Sequence, residues 1–278
     1  MNIAISNIAW DPTEEAGAAQ IMQNLQIRGV EIAPTKTWDA PQLASKESIL
    51  NYGKYWSDQN VKIVAMQSLL FGRPDLQLFQ DASARDRTFD YLCDLMVMAE
   101  TLGARVLVFG SPKNRQRGDL TESQAFETAV EFFGRVGRFA SEHNVCFCIE
   151  PNPAVYGCDF VRTAAEGRAL VKAVNKSGFR LHLDAAIMTL NEENIETEIE
   201  ASMDYLAHFH ISEPQLGVVG EGVTDHLRFA RCLKALGYSN WVSIEMRNGW
   251  KTPNTLAAQS ALDYAIGIYG NRIDYGCI

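Results

Sequence analysis

The sequence predicts a single-domain α/β protein in which eight parallel strands form a closed (β/α)8 barrel. Short β-branched runs alternate with long amphipathic stretches from one end of the chain to the other, as expected of repeated strand–helix units. The 278 residues also amount to about 35 per unit when divided by eight, which is close to what a barrel of roughly 250 residues requires.

Eight short runs, rich in β-branched or aromatic residues, predict the strands. Several of them are apolar almost throughout and end at a polar residue, which is typical of strands covered on both faces of a parallel sheet. In chain order, the predicted strands cover residues 2–6, 29–33, 62–67, 105–110, 145–150, 179–184, 207–211 and 241–245.

The stretches between these runs predict amphipathic helices that pack outside the sheet. In the clearest one, Thr121 and Gln124 form a capping-box pattern, and Phe126, Val130 and Phe133 then follow one apolar stripe. The predicted helices cover residues 12–27, 40–59, 84–102, 120–144, 163–176, 192–205, 225–236 and 255–268.

The organisation of the chain favours one domain over residues 1–278. No Pro-, Gly- or Ser-rich linker interrupts the alternation of strands and helices. An open doubly wound sheet is the alternative architecture. Strict alternation without a switch point favours the closed barrel.

Composition and charge exclude several kinds of partner. The chain has 25 basic and 34 acidic side chains, a net charge of −9, so a nucleic-acid backbone would meet net repulsion. No stretch reaches the roughly 18 uninterrupted apolar residues of a membrane span, and no basic segment with a long apolar one opens the chain. We therefore expect a cytoplasmic protein that binds neither nucleic acid nor membrane, with its six cysteines reduced.

Polar residues that close the last four predicted strands form a candidate metal site. Active sites of such barrels lie at the carboxyl ends of the strands, and neighbouring strands are only ~4.8 Å apart. Three carboxylates and one imidazole make an oxygen-rich ligand set that suits Mn²⁺, Mg²⁺ or Co²⁺ better than a thiolate zinc site. The predicted ligands are Glu150, Asp184, His210 and Glu245.

Two further histidines precede these ligands by two residues. His182 and His208 share the side-chain direction of Asp184 and His210, so we predict that both point into the barrel interior. Packing or support of the ligands is the expected role, with direct metal binding as the alternative.

Five motifs in order resemble one superfamily of barrels. The xylose-isomerase-like TIM-barrel superfamily, and within it the branch of D-tagatose 3-epimerase and hydroxypyruvate isomerase, shows the same series. The motifs are E-P-N at 150–152, H-L-D at 182–184, H-F-H-I-S-E at 208–213, G-E-G at 220–222 and G-Y-S-N-W-V-S-I-E-M-R at 237–247.

The resemblance implies a metal-dependent isomerase or epimerase of a sugar, sugar phosphate or keto-sugar. It implies a divalent ion, typically Mn²⁺ with Mg²⁺, Co²⁺ or Zn²⁺ as alternatives, and catalysis by Glu150 and Glu245. Such an ion would polarise the substrate oxygens and stabilise an enediolate, while one glutamate removes the proton α to the carbonyl and the other returns it. Related barrels are often homodimers or homotetramers, which we also expect here.

Three positions depart from the ketose 3-epimerase pattern. Tyr156 stands in place of an acidic residue, Ile187 stands in place of a histidine, and no arginine occurs from Glu213 to Gly217. The family residues at these positions hold sugar hydroxyls. The departures therefore leave the metal chemistry intact but argue against a free ketohexose as the substrate.

Other residues near the strand ends are candidates for substrate contacts. The loop after the fourth strand concentrates Lys113, Arg115 and Arg117, which predicts a clamp for a phosphate or carboxylate, with a solvated basic loop as the alternative. The predicted substrate-binding residues are Trp10, Glu31, Gln67, Lys113, Arg115, Tyr156 and Arg247.

Two other functions fit the same residues. Dehydratases of the superfamily, such as those that act on inosose or dehydroshikimate, remove the same kind of proton and then expel a β-hydroxyl. A non-catalytic metal-binding protein is the second alternative. Apurinic endonucleases of the superfamily are set aside, because their three-zinc sites need many histidines and this acidic chain has five.

Overall fold

Eight parallel strands close into one barrel in the computed structural model, which describes residues 1–270. Neighbouring strands pair in chain order, and β1 pairs with β8 to complete the ring. The strands are β1 (Asn2–Ser6), β2 (Gly29–Ile32), β3 (Lys62–Met66), β4 (Val106–Phe109), β5 (Cys146–Ile149), β6 (Phe179–Asp184), β7 (Leu206–Ser212) and β8 (Trp241–Glu245). The predicted (β/α)8 fold is confirmed. Residues 271–278, which include Cys277, lie outside the described residues, so the predicted domain end at 278 stays a prediction.

The helices between the strands surround the barrel, and eight of them correspond to the predicted ones. Thr121 caps α4 as the sequence predicts, because its Oγ1 accepts a hydrogen bond from the Gln124 backbone N–H at 3.3 Å. The helices in residues 1–270 are α1 (Glu15–Asn24), α2 (Lys46–Asp58), α3 (Ala82–Leu102), α4 (Glu122–Glu142), α5 (Ala164–Val174), α6 (Ala185–Leu190), α7 (Ile195–Ser202), α8 (His226–Ala235) and α9 (Asn254–Tyr269).

Among the α-helices of residues 1–270, the short α6 is the one that the sequence analysis missed. Its six residues are too few to show the apolar periodicity that identifies an amphipathic helix. Asp184 caps it, because the Asp184 Oδ1 accepts a hydrogen bond from the Ile187 backbone N–H at 2.7 Å. One carboxylate therefore ends β6, begins α6 and is held at the end of the barrel.

An aromatic cluster joins α4 to the strands beneath it. Phe133 of α4 packs against Phe109, Phe147 and Phe179, with ring centroids 5.7, 6.3 and 4.7 Å away. All four side chains are fully buried. This contact fixes α4 over β4, β5 and β6, and the last two of these strands lead to the first two predicted metal ligands.

Two sequence expectations about the rest of the chain can be compared with the structure. Five cysteines in the described residues are free thiols: Cys93, Cys146, Cys148, Cys158 and Cys232. Over the same residues, none of the helices has both the length and the apolar character needed to cross a bilayer.

We predict that Phe133→Ala lowers the free energy of unfolding by about 3–5 kcal/mol, because it leaves a cavity among three buried rings. Urea unfolding followed by circular dichroism measures this. The matched control is Phe71→Ala: Phe71 is 72% exposed, so its loss should change the free energy by less than about 0.5 kcal/mol. Equal effects of the two substitutions would contradict the role given to the cluster.

Candidate metal centre and active site

Four successive strands bring the predicted ligands together at the carboxyl end of the barrel, which we call the mouth. One ligand atom from each of the four lies within 4.8 Å of the others. The central atom is Nδ1 of His210, which is 3.3 Å from Glu245 Oε2, 3.6 Å from Glu150 Oε1 and 3.8 Å from Asp184 Oδ2. We call this group, Glu150, Asp184, His210 and Glu245, the mouth cluster.

The electrostatics of the mouth cluster fit a divalent cation. Burial, together with the charges of Glu150 and Glu245, raises the pKa of Asp184 to about 7. Burial also raises the pKa of Glu245. The Nδ1 atom of His210 is buried without a hydrogen-bond partner. A cation among these groups would remove the repulsion between carboxylates and use the free imidazole nitrogen.

Neighbouring residues that the sequence analysis did not single out orient two of the carboxylates. Asn152 Nδ2 donates a hydrogen bond to Glu150 Oε2 at 3.0 Å, and Ser212 Oγ donates to Asp184 Oδ2 at 2.6 Å. Gly110 leaves room for Glu150, because a Cβ at this position would lie 2.2 Å from Glu150 Oε2. The strand periodicity could have identified Ser212 from the sequence, because Ser212 follows His210 by two residues and therefore shares its face of β7.

Three buried polar residues lie below the mouth cluster, inside the barrel. His182 and His208 point inward as predicted, and each is at most 1% exposed. Glu31 Oε2 lies 3.0 Å from His210 Nε2, and Glu31 Oε1 lies 3.4 Å from His208 Nε2. Burial opposes ionisation of Glu31, but the neighbouring His210 and His208 hold its pKa well below the usual range. An N–H at His210 Nε2 can donate to this carboxylate, which leaves Nδ1 free to bind an ion.

A cavity of about 200 Å³ opens above the mouth cluster. Gln67 and Tyr156, two of the predicted substrate-binding residues, line it together with Ile187 and Leu216. The amide of Gln67 donates to Ser6 Oγ at 2.9 Å, and the hydroxyl of Tyr156 accepts from the Gln215 backbone N–H at 2.9 Å. These contacts fix both side chains at the wall of the cavity.

Glu31, Trp10, Lys113 and Arg247 do not reach this cavity. Glu31 is enclosed in the barrel below it, and Trp10 is buried against Trp56 with ring centroids 6.5 Å apart. Lys113 borders a separate groove on the surface. The guanidinium of Arg247 lies 4.6 Å from the ring centroid of Trp250.

Arg115 lies behind the wall of the cavity, and the predicted anion clamp is not formed there. Its side chain is fully buried, and Nη2 donates hydrogen bonds to the backbone carbonyls of Glu150 at 2.7 Å and Val161 at 3.3 Å. Nη1 lies 3.4 Å from the carbonyl of Phe109. The guanidinium therefore supports the backbone that carries Glu150, and these hydrogen bonds keep it from binding an anion in the cavity.

The fold and the mouth cluster together define an α/β barrel whose strand ends can hold a divalent ion beside a small cavity. A family model described as "Xylose isomerase-like TIM barrel" matches residues 19–266, and the chain belongs to this family. The resemblance seen in the sequence motifs is thereby confirmed.

The chain is also similar to individual sugar epimerases and to solved barrel structures. The D-psicose 3-epimerase of Ruminiclostridium cellulolyticum is 29% identical over 120 residues, which cover 43% of this chain and 41% of that protein. The chain therefore matches about two fifths of the length of such curated relatives. A structure of D-psicose 3-epimerase with D-tagatose, from Clostridium cellulolyticum H10, has a TM-score of 0.81 at 19% identity and covers 97% of this chain and 99% of that chain. The IolI protein with a bound zinc atom has a TM-score of 0.78 at 16% identity, over 99% of this chain and 100% of that one. At these identities the two structures show a shared fold.

We predict that Arg115→Met lowers the free energy of unfolding by about 3 kcal/mol, because buried carbonyls lose a charged donor. Chemical denaturation measures the change. The control is Lys113→Met in the same loop, where the exposed side chain should contribute less than about 0.5 kcal/mol. A stable Arg115→Met variant that selectively loses affinity for phosphorylated sugars would contradict the structural role and support the predicted anion clamp.

We also predict that the metal-free protein becomes less stable as the pH rises from about 4 to above 7. Asp184 has a raised pKa of about 7 in the folded chain, so the folded state keeps a proton that the unfolded chain has already lost.

Saturating Mn²⁺ should raise the melting temperature at pH 8, and Asp184→Asn should abolish this rise while stabilising the metal-free protein. Differential scanning calorimetry measures both effects. The exposed Asp119→Asn serves as the control, and a variant of Asp184 that keeps the full Mn²⁺ effect would exclude it as a ligand.

Proposed function

We propose that the protein is a divalent-metal-dependent epimerase or isomerase of an uncharged keto-sugar, acting by proton transfer at the carbon next to a carbonyl. The observation that carries the proposal is the placement of Glu150 and Glu245. Both carboxylates approach the same imidazole nitrogen, and both line the cavity. The similarity to a ketose 3-epimerase over 120 residues supports the same class of reaction.

The mouth cluster would hold the ion through three carboxylates and Nδ1 of His210. We propose Mn²⁺, because oxygen ligands with a single imidazole favour a hard divalent ion. When bound, such an ion polarises the carbonyl and hydroxyl oxygens of the substrate and stabilises the charge that develops as the proton leaves.

The two glutamates would exchange the proton with opposite faces of the substrate. Glu150 follows β5 and Glu245 ends β8, so the two side chains enter the mouth from strands that are three positions apart in an eight-stranded ring. Asn152 orients Glu150, while Glu245 keeps a side-chain exposure of 15% at the cavity. One carboxylate accepts the proton, and the other, in its protonated form, returns it.

The charge of the cavity wall favours a substrate without phosphate. Within residues 1–270, neither lysine nor arginine lines the cavity, whereas Glu150, Asp184, Glu213 and Glu245 do. Although burial opposes it, hydrogen bonds from His226 and Thr224 lower the pKa of Glu213 to about 2, so this carboxylate stays ionised. A phosphate would meet repulsion here, while sugar hydroxyls can donate to carboxylates.

Two wall residues are proposed to contact the sugar. Tyr156 and Gln67 present a hydroxyl and an amide to the cavity, in reach of groups that a sugar can offer. Ile187 and Leu216 supply apolar surface beside them. A volume of about 200 Å³ lies below the ~300–1,000 Å³ of sites for drug-sized ligands, which suits a monosaccharide.

The proposal also includes a cellular location and an oligomeric state. A cytoplasmic location is supported by the five free thiols in the described residues, which a reducing compartment would preserve. Assembly as a homodimer or homotetramer stays a prediction from the resemblance, and light scattering after size-exclusion chromatography measures it.

We predict that the Mn²⁺-loaded protein incorporates deuterium from D₂O next to the carbonyl of a free ketose, with D-psicose and D-tagatose as the first probes. Glu150→Gln and Glu245→Gln should each lower kcat by about 100-fold or more, because an amide cannot exchange the proton. NMR detects exchange and epimer formation. The matched control is Glu221→Gln, an exposed glutamate paired with Lys251.

Two outcomes of this experiment would contradict the proposal. An enone product with loss of water would show a dehydratase. A strong preference for phosphorylated ketoses over free ones would exclude the uncharged substrate class.

A further inference from the structure

A second group of potential metal ligands lies inside the barrel, below the mouth cluster. The imidazoles of His182, His208 and His210 each place one nitrogen within 4.8 Å of the others. Their ring centroids are 4.2 Å apart for His182 and His210, 5.5 Å for His208 and His210, and 5.6 Å for His182 and His208. Glu31 adjoins two of these rings, 3.4 Å from His208 and 3.0 Å from His210.

Unpartnered polar atoms are concentrated at this group. Of ten buried side-chain nitrogen and oxygen atoms without a hydrogen-bond partner in residues 1–270, five belong to these four residues. They are Glu31 Oε1, both ring nitrogens of His182, His208 Nε2 and His210 Nδ1. Buried polar groups in proteins nearly always have a partner, so an atom that the chain itself does not supply is expected here.

His210 can be assigned to the mouth cluster, which leaves three ligands below it. Its Nδ1 lies among the carboxylates of the mouth, and its Nε2 can donate to Glu31 Oε2 at 3.0 Å. The remaining atoms are Glu31 Oε1, which lies 3.4 Å from His208 Nε2, His182 Nδ1, which lies 3.2 Å from Glu150 Oε1, and His182 Nε2, which is buried without a hydrogen-bond partner. We call Glu31, His182 and His208, which come from β2, β6 and β7, the interior cluster.

The ligand chemistry of the interior cluster differs from that of the mouth. Two imidazoles and one carboxylate form the ligand set of many zinc sites, with a fourth position open to water. Imidazole nitrogens favour Zn²⁺ and similar late transition metals over Mg²⁺ and Mn²⁺. Glu31 is fully buried, and an ion at its Oε1 would supply the positive charge beside it when His210 is neutral and binds an ion through Nδ1.

A cavity other than the substrate cavity borders the interior cluster at His208. A second cavity, of about 740 Å³, opens at the amino end of the barrel and extends to His208. Lys62, Cys146 and Trp241 line it as well.

We propose that Glu31, His182 and His208 form a second divalent-cation site of zinc type in the barrel interior. Glu31 would bind this ion through Oε1 and orient His210 through Oε2, so the lower ion supports the ligand geometry of the mouth cluster. The site goes beyond the proposed function, because it requires neither a substrate nor turnover.

The experiment counts zinc in the full-length protein. The chain is stripped with a chelator, reloaded with Zn²⁺, desalted and analysed by mass spectrometry for metal per chain. We expect about two zinc ions in the wild type, about one in His208→Asn, about one in Asp184→Asn and about none in the double variant. The control is His143→Asn, a histidine on the outside of the barrel beside Glu100, which should keep both ions.

A single zinc ion in the wild type that disappears in Asp184→Asn and persists in His208→Asn would overturn the proposal, and water would then fill the interior cluster. If His208→Asn does not fold, titration of the wild type with Co²⁺ decides the question. Two phases are expected, one with the strong visible absorption of a four-coordinate, nitrogen-containing site, whereas a single weak phase overturns the proposal. Because no substrate is present in these measurements, their failure is separate from a failure of the proposed activity.

Discussion

The rest of the site depends on the fixed orientation of the His210 imidazole. Glu31 lies 3.0 Å from its Nε2 inside the barrel, and three carboxylates surround its Nδ1 at 3.3–3.8 Å. The ring is fully buried, and its two nitrogens face different charged groups, so rotation would break contacts on both sides. A single imidazole therefore connects the barrel interior to the carboxylates of the mouth cluster.

Strand register places the mouth-cluster residues of β6 and β7 side by side and that of β8 two residues further along. Asp184 is the Cα partner of His210 across β6 and β7, and Ser212 is the partner of Glu245 across β7 and β8. Because side chains alternate along a strand, residues of the same direction on paired strands point to the same layer of the barrel. The closed sheet then places Glu150 and Glu245 around a common centre.

Within residues 1–270, carboxylates line the cavity and the nearby cations do not. Arg115 donates hydrogen bonds to backbone carbonyls behind the wall, and the guanidinium of Arg247 lies over the ring of Trp250, so neither cation reaches the cavity. The wall that remains carries carboxylates with hydrogen bonds to Asn152, Ser212 and His226. A bound cation and the hydroxyls of a neutral sugar are the partners that such a wall can satisfy.

The sequence by itself determined the strand–helix alternation and the four residues of the mouth cluster, because strand periodicity and the polar residue that ends each run are local features. It also determined the inward direction of His182 and His208. Only the tertiary structure decided which rim candidates face the cavity. Glu31 lies where the register between β2 and β3 shifts, and Arg115 is enclosed by carbonyls from residues up to 46 positions away in the chain. Depth inside a barrel depends on such contacts between distant segments, and no local pattern encodes them.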